Sequence, residues 1–169
     1  MNIRCGFCVP IFAAPGQWSF RTPNYDALDV PETLAMAVEA DALGYDSLWI
    51  ADHLQLGEDQ AIMEGWTTMA ALAGMTSRAK LGMIHGANLL RHAAVTARAA
   101  MTLDQISHGR LIYFLAPNAG ENEQRAYGVD WPEPEQERVA QMVEALELSV
   151  ALWTAESPID YEGKFYRLN

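Results

Sequence analysis

The sequence predicts an α/β fold in which βα units follow one another along a parallel β-sheet, arranged as part of a closed barrel. Three observations predict it. Four short apolar runs, Ile3–Val9, Ser47–Ala51, Lys80–Ile84 and Leu111–Leu115, recur with starts 44, 33 and 31 residues apart. A helical pattern succeeds each run, and strands alternating with helices at this spacing imply parallel pairing, because each helix must return over the sheet before the next strand begins. Finally, Pro10-Ile11-Phe12-Ala13-Ala14-Pro15-Gly16 comes after the first run, and no G-x-G-x-x-G occurs in the chain. An open doubly wound sheet usually carries such a glycine-rich first turn, so the barrel is favoured.

The first run holds both cysteines, Cys5 and Cys8; positions three apart on a strand point to opposite faces, so they read as two buried thiols rather than a disulfide. Asp29-Val30-Pro31-Glu32 opens the first helix with proline near its first position, and Gly44 stops it after Leu43. The second helix carries Trp66, Met69, Ala70 and Ala73 on one face; the third carries Val95, Ala99, Leu103 and Ile106, both at spacings of three and four. The fourth is the longest. Val139, Met142, Val143, Leu146, Val150 and Trp153 form its stripe, the expected core face, while Glu133, Glu135, Glu137 and Glu144 lie mainly towards its start, where negative charge suits the helix dipole. Asp160-Tyr161-Glu162-Gly163-Lys164-Phe165-Tyr166 alternates around a glycine and reads as a hairpin within residues 158–169.

Composition narrows the function. Half of the 169 residues are hydrophobic and 20% are charged, within the range of globular domains. Eleven basic against 22 acidic residues leave a net charge of −11, which argues against nucleic-acid and membrane-surface partners. No apolar run approaches the roughly 18–20 residues that cross a bilayer, and Met1-Asn2-Ile3-Arg4 lacks the features of a signal peptide. The chain is read as cytoplasmic.

No P-loop, G-x-S-x-G, H-E-x-x-H or EF-hand pattern is present, and no metal site is expected. Position must serve instead, because in parallel barrels reactive groups collect just past the C-terminal ends of the strands. Asp52-His53 comes after the second strand, His85-Gly86 after the third, and Asn118 with Glu121 after the fourth. His53 suits proton transfer near neutral pH with Asp52 orienting it, and Gly86 beside His85 would let backbone approach a planar ligand. Asn118, in Ala116-Pro117-Asn118-Ala119-Gly120, offers polar groups or plain turn chemistry. His92 and His108 bracket the third helix, and Arg138 reads as an internal ion pair among glutamates. Trp49, Trp66 and Trp153 read as core rather than as a substrate platform.

These residues resemble the luciferase-like, flavin-dependent oxidoreductases. The resemblance runs through Ala42-Leu43-Gly44-Tyr45-Asp46-Ser47-Leu48-Trp49-Ile50-Ala51-Asp52-His53, Thr76-Ser77-Arg78, Arg91-His92, and Thr102-Leu103-Asp104-Gln105-Ile106-Ser107-His108-Gly109-Arg110-Leu111-Ile112. It continues in Ala126-Tyr127-Gly128, Glu137-Arg138 and Tyr161-Glu162-Gly163-Lys164-Phe165-Tyr166. The chain departs from the family's pattern at His92-Ala93, where the family has His-Pro, and at Ala116-Pro117-Asn118.

The resemblance implies a (βα)8 barrel of the bacterial luciferase type. A complete one takes about 250 residues, so the chain is read as a single domain, the N-terminal half supplying about the first four βα units. It implies His53 and Asp52 as the catalytic pair, and His85, Asn118 and Gly86 against the cofactor. The implied activity is a two-component monooxygenase using reduced FMN from a separate NAD(P)H:flavin reductase to oxidise a small organic substrate. The alternatives are a deazaflavin-dependent dehydrogenase or reductase, and a non-catalytic half-barrel. Four βα units leave two open sheet edges, which a homodimer or a complementary half-barrel would cover.

Overall fold

The two central strands of the sheet lie where the sequence places them. The computed structural model describes residues 3–13, 27–57, 60–117 and 120–169. They form two compact units, one from 1–84 with 103–114 and the other from 85–102 with 115–169. In the first, β1 (Gly6–Cys8), β2 (Ser47–Ala51), β3 (Lys80–Ile84) and β5 (Leu111–Ile112) make a four-stranded sheet in that order, every pair parallel.

Helices cover one face of this sheet. α1 (Val30–Leu43) opens at Asp29, whose carboxylate accepts the Glu32 N–H at 2.9 Å, and closes at Gly44, in the left-handed region at φ 94°. Both signals act as the sequence indicates: the cap satisfies a free N–H, and glycine takes a conformation that a Cβ would strain. Alternate strand residues Leu48, Ile50, Leu81 and Met83 are buried among Ala37 and Ala40 of α1 and Met69 and Leu72 of α2 (Gly65–Met75).

The other face is shaped by one indole. Strand alternation sends Trp49 away from the helices, and its ring lies so flat on the sheet that a Cβ at Gly82 would stand 2.5 Å from it, and one at Gly6 2.8 Å. Its N–H donates to the Ser47 hydroxyl at 2.9 Å. The sequence reading of Trp49 as core holds in part, since the side chain is half-buried.

A polar clasp ties together the N-terminal ends of the strands. Asp41 accepts the main-chain N–H groups of Ser77, Arg78 and Ala79 at 2.9, 3.1 and 2.6 Å. Arg110, also buried, donates to the carbonyls of Ala73, Thr76, Ala79 and Ser107 and to the Thr76 hydroxyl, at 2.7–3.0 Å. Burial pushes the Asp41 carboxyl up, but the three N–H donors and the Arg110 charge outweigh it and hold the group below its ordinary value.

The second unit contains β4 (Gly86–Ala87) and β6 (Leu115–Ala116), paired parallel, with α4 (Glu121–Ala126) and α5 (Glu135–Thr154). It also takes in residues 93–102 of α3 (Ala93–Ile106). The antiparallel pair β7 (Tyr161–Glu162) and β8 (Arg167–Leu168) confirms the expected hairpin. Its buried apolar residues are mostly small: Ala87, Ala97, Ala100, Ala116 and Ala145, with Leu115 and Leu148. Polar anchors supplement them. The buried Glu144 carboxylate accepts the N–H groups of Lys164, Phe165 and Tyr166 at 2.9–3.2 Å, and Asn88 donates to the Tyr166 hydroxyl at 3.1 Å.

Several expectations require correction. The first strand is shorter than Ile3–Val9, and the fourth run splits into β5 and β6. On α3, Val95 and Ile106 are exposed; Ala93, Thr96, Ala97, Ala100 and Leu103 are buried. On α5 the expected core stripe faces outwards. Val139, Val143, Val150 and Trp153 are exposed, whereas Arg138, Glu144, Ala145, Leu148 and Ser149 are buried, because the hairpin needs a carboxylate and the sheet needs small residues on that side. Arg138 forms no internal ion pair among the described residues: it donates to the carbonyls of Pro132 and Glu133 and lies 4.4 Å from the Trp131 ring centroid. Among the described residues no helix is long and apolar enough to cross a membrane.

Candidate functional site

The chain leaves β2 at Asp52 and His53, and the surrounding loops hold that exit in place. Val9 donates to the Trp49 carbonyl and Met63 to the Ile11 carbonyl, both at 2.9 Å, while Phe12 and Ile62 form an antiparallel bridge. Gly57, at φ 78°, brings the loop after β2 so close to the loop after β1 that a Cβ would stand 2.3 Å from the Ala13 carbonyl oxygen. These contacts lace the two strand exits together. Val9, Ile11, Phe12 and Ala13 are all buried as a result.

The next helix is drawn against the same exit. Gly65 is the residue that permits it, since a Cβ there would meet the Ala51 carbonyl at 2.7 Å and the Met83 sulfur at 3.2 Å. Glu64 caps α2 by accepting the N–H groups of Trp66 and Thr67 at 3.3 and 2.7 Å. Within this setting Asp52 is 1% exposed and His53 half-buried. A buried carboxylate next to an accessible imidazole is an arrangement that can orient and move a proton. The Trp66 indole N–H is buried without a hydrogen-bond partner among the described residues.

In the second unit, His85 begins where β3 ends. Its φ of 60° lies in the left-handed region and its side chain is exposed. A non-glycine residue there carries a backbone cost of about 1–2 kcal/mol, although glycine occupies the next position. Gly86 itself is buried and paired with Leu115 in the β4–β6 ladder. Such strain collects at functional sites. His92 caps α3: its carbonyl accepts the N–H groups of Val95 and Thr96, and its Nδ1 accepts that of Ala94 at 3.3 Å.

Asn118 lies outside the described residues. The start of α4, just beyond it, is ordered around two side chains that sequence reasoning passed over. Glu123, 5% exposed, accepts the Gly120 N–H at 2.5 Å; Gly120 and Glu123 stand three apart, the spacing of a capping box, and that was the available signal. Gln124 is wholly buried, and neither its amide nitrogen nor its oxygen has a partner among the described residues. Glu121, which the sequence placed beside Asn118, is exposed and paired with Arg125 at 2.9 Å.

With this geometry established, comparison with known proteins identifies the lineage. The model of the luciferase-like monooxygenase family matches residues 9–169. An F420-dependent glucose-6-phosphate dehydrogenase of Amycolatopsis mediterranei is 32% identical over 135 residues, covering 78% of this chain and 40% of the relative. Among solved structures, an F420-dependent secondary alcohol dehydrogenase in complex with an F420-acetone adduct superposes with a TM-score of 0.78 at 21% identity, over 100% of this chain and 47% of the other. The oxygenating constituent of 3,6-diketocamphane monooxygenase from Pseudomonas putida, a type II Baeyer–Villiger monooxygenase in complex with FMN, gives 0.74 at 20% identity, over 99% and 43%. The chain thus spans less than half the length of these relatives, and its parallel α/β sheet is part of their barrel. It belongs to the luciferase-like monooxygenase family.

Proposed function

We propose that the chain is the N-terminal half of an oxidoreductase that works with a flavin or a deazaflavin at the C-terminal ends of its strands. The observation that carries this reading is the exit of β2, where buried Asp52 precedes half-buried His53 on a loop pinned from both sides. A planar ring needs Cβ-free backbone to lie against and side chains able to hold a proton. The described residues supply candidates for both needs: His85-Gly86 follows β3, and Asp52-His53 follows β2. Within the first unit His53 would meet the ring end of such a group, and the resemblance assigns His85, Gly86 and Asn118 to the cofactor as well; residues for its phosphate are assigned to the part of the relatives that this chain does not span.

The bound cofactor would supply the two-electron chemistry, which no side chain provides. The tasks of this chain are then limited. Asp52 would orient His53, His53 would give or take a proton, and the buried stretch Val9–Ala13 would keep water from its side.

Two readings of the reaction each have support. Hydride transfer between a deazaflavin and an alcohol or carbonyl is supported by the relative that is 32% identical over 135 residues and is named for F420. Monooxygenation with reduced FMN and a separate NAD(P)H:flavin reductase is supported by the family model and by the fold shared with an FMN-binding oxygenating constituent. Oxygen separates them. Turnover of the native-length protein without oxygen, in the presence of the deazaflavin, establishes the first; turnover that requires oxygen and reduced FMN establishes the second. Failure to bind either cofactor would remove both.

A further inference from the structure

Within the second unit, the start of α3, the loop before α5, α5 itself and the hairpin enclose a cavity of about 320 Å3. Its described lining includes none of the residues proposed for the cofactor. The volume is at the small end of ligand pockets, roughly 300–1,000 Å3. Each wall is held from behind. Val129 donates its N–H to the Gln124 carbonyl at 2.9 Å, and Arg138 donates to the Pro132 carbonyl at 2.7 Å. Tyr166, 5% exposed, donates its N–H to the Glu144 carboxylate at 2.9 Å, and its hydroxyl accepts from the Asn88 amide at 3.1 Å. His92 accepts the Ala94 N–H at Nδ1 and lies edge-on to the Tyr166 ring, with centroids 5.4 Å apart. Walls fixed in this way lose little freedom when the cavity fills.

The polar groups left over define what fills it. With Nδ1 accepting, the neutral His92 ring carries its proton on Nε2, and that donor has no acceptor among the described residues. The Tyr166 hydroxyl, accepting from Asn88, keeps its own proton to give. The Asp130 carboxylate and the Gln141 amide, both on the lining, have no partner among the described residues. Charge narrows the class further. The Asp130 carboxylate opposes an anion, and the Arg91 guanidinium on the same lining opposes a cation. A neutral ligand is left. It must donate to Asp130 and Gln141 and accept from His92, Tyr166 and Gln141, and hydroxyl groups do both. The C–H face of a ring that carries them suits the apolar Val129 and Phe165.

We propose that this cavity binds a neutral cyclic polyol of the size of one monosaccharide ring. Calorimetric titration of the native-length protein with D-galactose and with myo-inositol, against sodium phosphate and propylammonium chloride, tests it. Saturable binding of at least one polyol, unchanged by His53→Ala, and of neither ion is expected. Asp130→Ala should weaken that binding about tenfold or more and Gln141→Ala about threefold to tenfold, the scales of a charged and a neutral hydrogen bond. Both variants should keep the wild-type melting temperature, because neither side chain has a partner to lose among the described residues.

Absence of polyol binding overturns the proposal, as does binding of either ion in preference, or polyol binding that follows His53 and ignores Asp130 and Gln141. If a further segment of a longer polypeptide fills the cavity instead, Asp130→Ala lowers the melting temperature and no polyol binds, which also overturns it.

Discussion

Replacing Asp41 by alanine removes a carboxylate that accepts from three consecutive main-chain N–H groups. The three losses are unequal. Ser77 and Arg78 are exposed, so water takes over there, but Ala79 is 1% exposed and its N–H at 2.6 Å becomes dry and unpaired. A buried donor left in that state costs about 1–3 kcal/mol. Arg110 keeps its five hydrogen bonds but loses the neighbouring negative charge. Together these give a loss of about 2–4 kcal/mol.

The pH dependence has a definite sign. Because the folded chain holds Asp41 below its ordinary value, the unfolded chain takes up the proton first as pH falls. The stabilisation is therefore full above the unfolded value and is lost as pH falls through the folded one. Urea denaturation of wild type and Asp41→Ala, followed by circular dichroism, should show the full difference at neutral pH and a shrinking one below about pH 4. A neutral-pH difference under about 1 kcal/mol, or one that persists unchanged in acid, would refute the clasp.

Other changes probe the site itself. His53→Gln should lower turnover about a hundredfold, the scale of lost general acid–base catalysis, while the melting temperature stays within a degree or two; unchanged turnover would remove His53 from the proton-transfer role. Gly82→Ala drives a Cβ to within 2.5 Å of the Trp49 ring, so it should destabilise by about 1–3 kcal/mol and shift the tryptophan emission, and a neutral result would mean that the indole moves freely. At residue 85, with φ 60°, the glycine variant should be about 1 kcal/mol more stable than the alanine variant, yet both should lose cofactor affinity; retained affinity would make His85 a backbone device only.

The sequence showed the first unit more clearly than the second, for a physical reason. Ser47–Ala51 and Lys80–Ile84 are observed strands to the residue, and Asp29 and Gly44 bound α1 as expected. There, local signals agree with burial, because helices cover one sheet face with ordinary large apolar residues. On α5 they disagree. The buried face is built from Ala145, Leu148 and Ser149 around a Glu144 carboxylate that serves a hairpin about twenty residues later, and no local periodicity reports such a contact. The larger residues Val143 and Val150 then dominate the pattern from the outside.

The site was legible by position only. Strand ends predicted from the apolar runs placed Asp52, His53, His85 and Gly86 correctly at the exits of β2 and β3. The positive φ of His85 and the Gln124 amide, which has no partner among the described residues, depend on the path of the chain and carry no sequence signal. Glu123 was readable from its spacing to Gly120 but was overshadowed by the more exposed Glu121.

The most direct test of the proposed cofactor site is an equilibrium titration of the native-length protein with FMN and with coenzyme F420, read by cofactor fluorescence, for wild type and His53→Ala. Saturable binding of one cofactor, weakened in the variant while the fold is retained, is the expected result. Absence of binding to both, or affinity that ignores His53, would contradict the placement of the cofactor at the exit of β2.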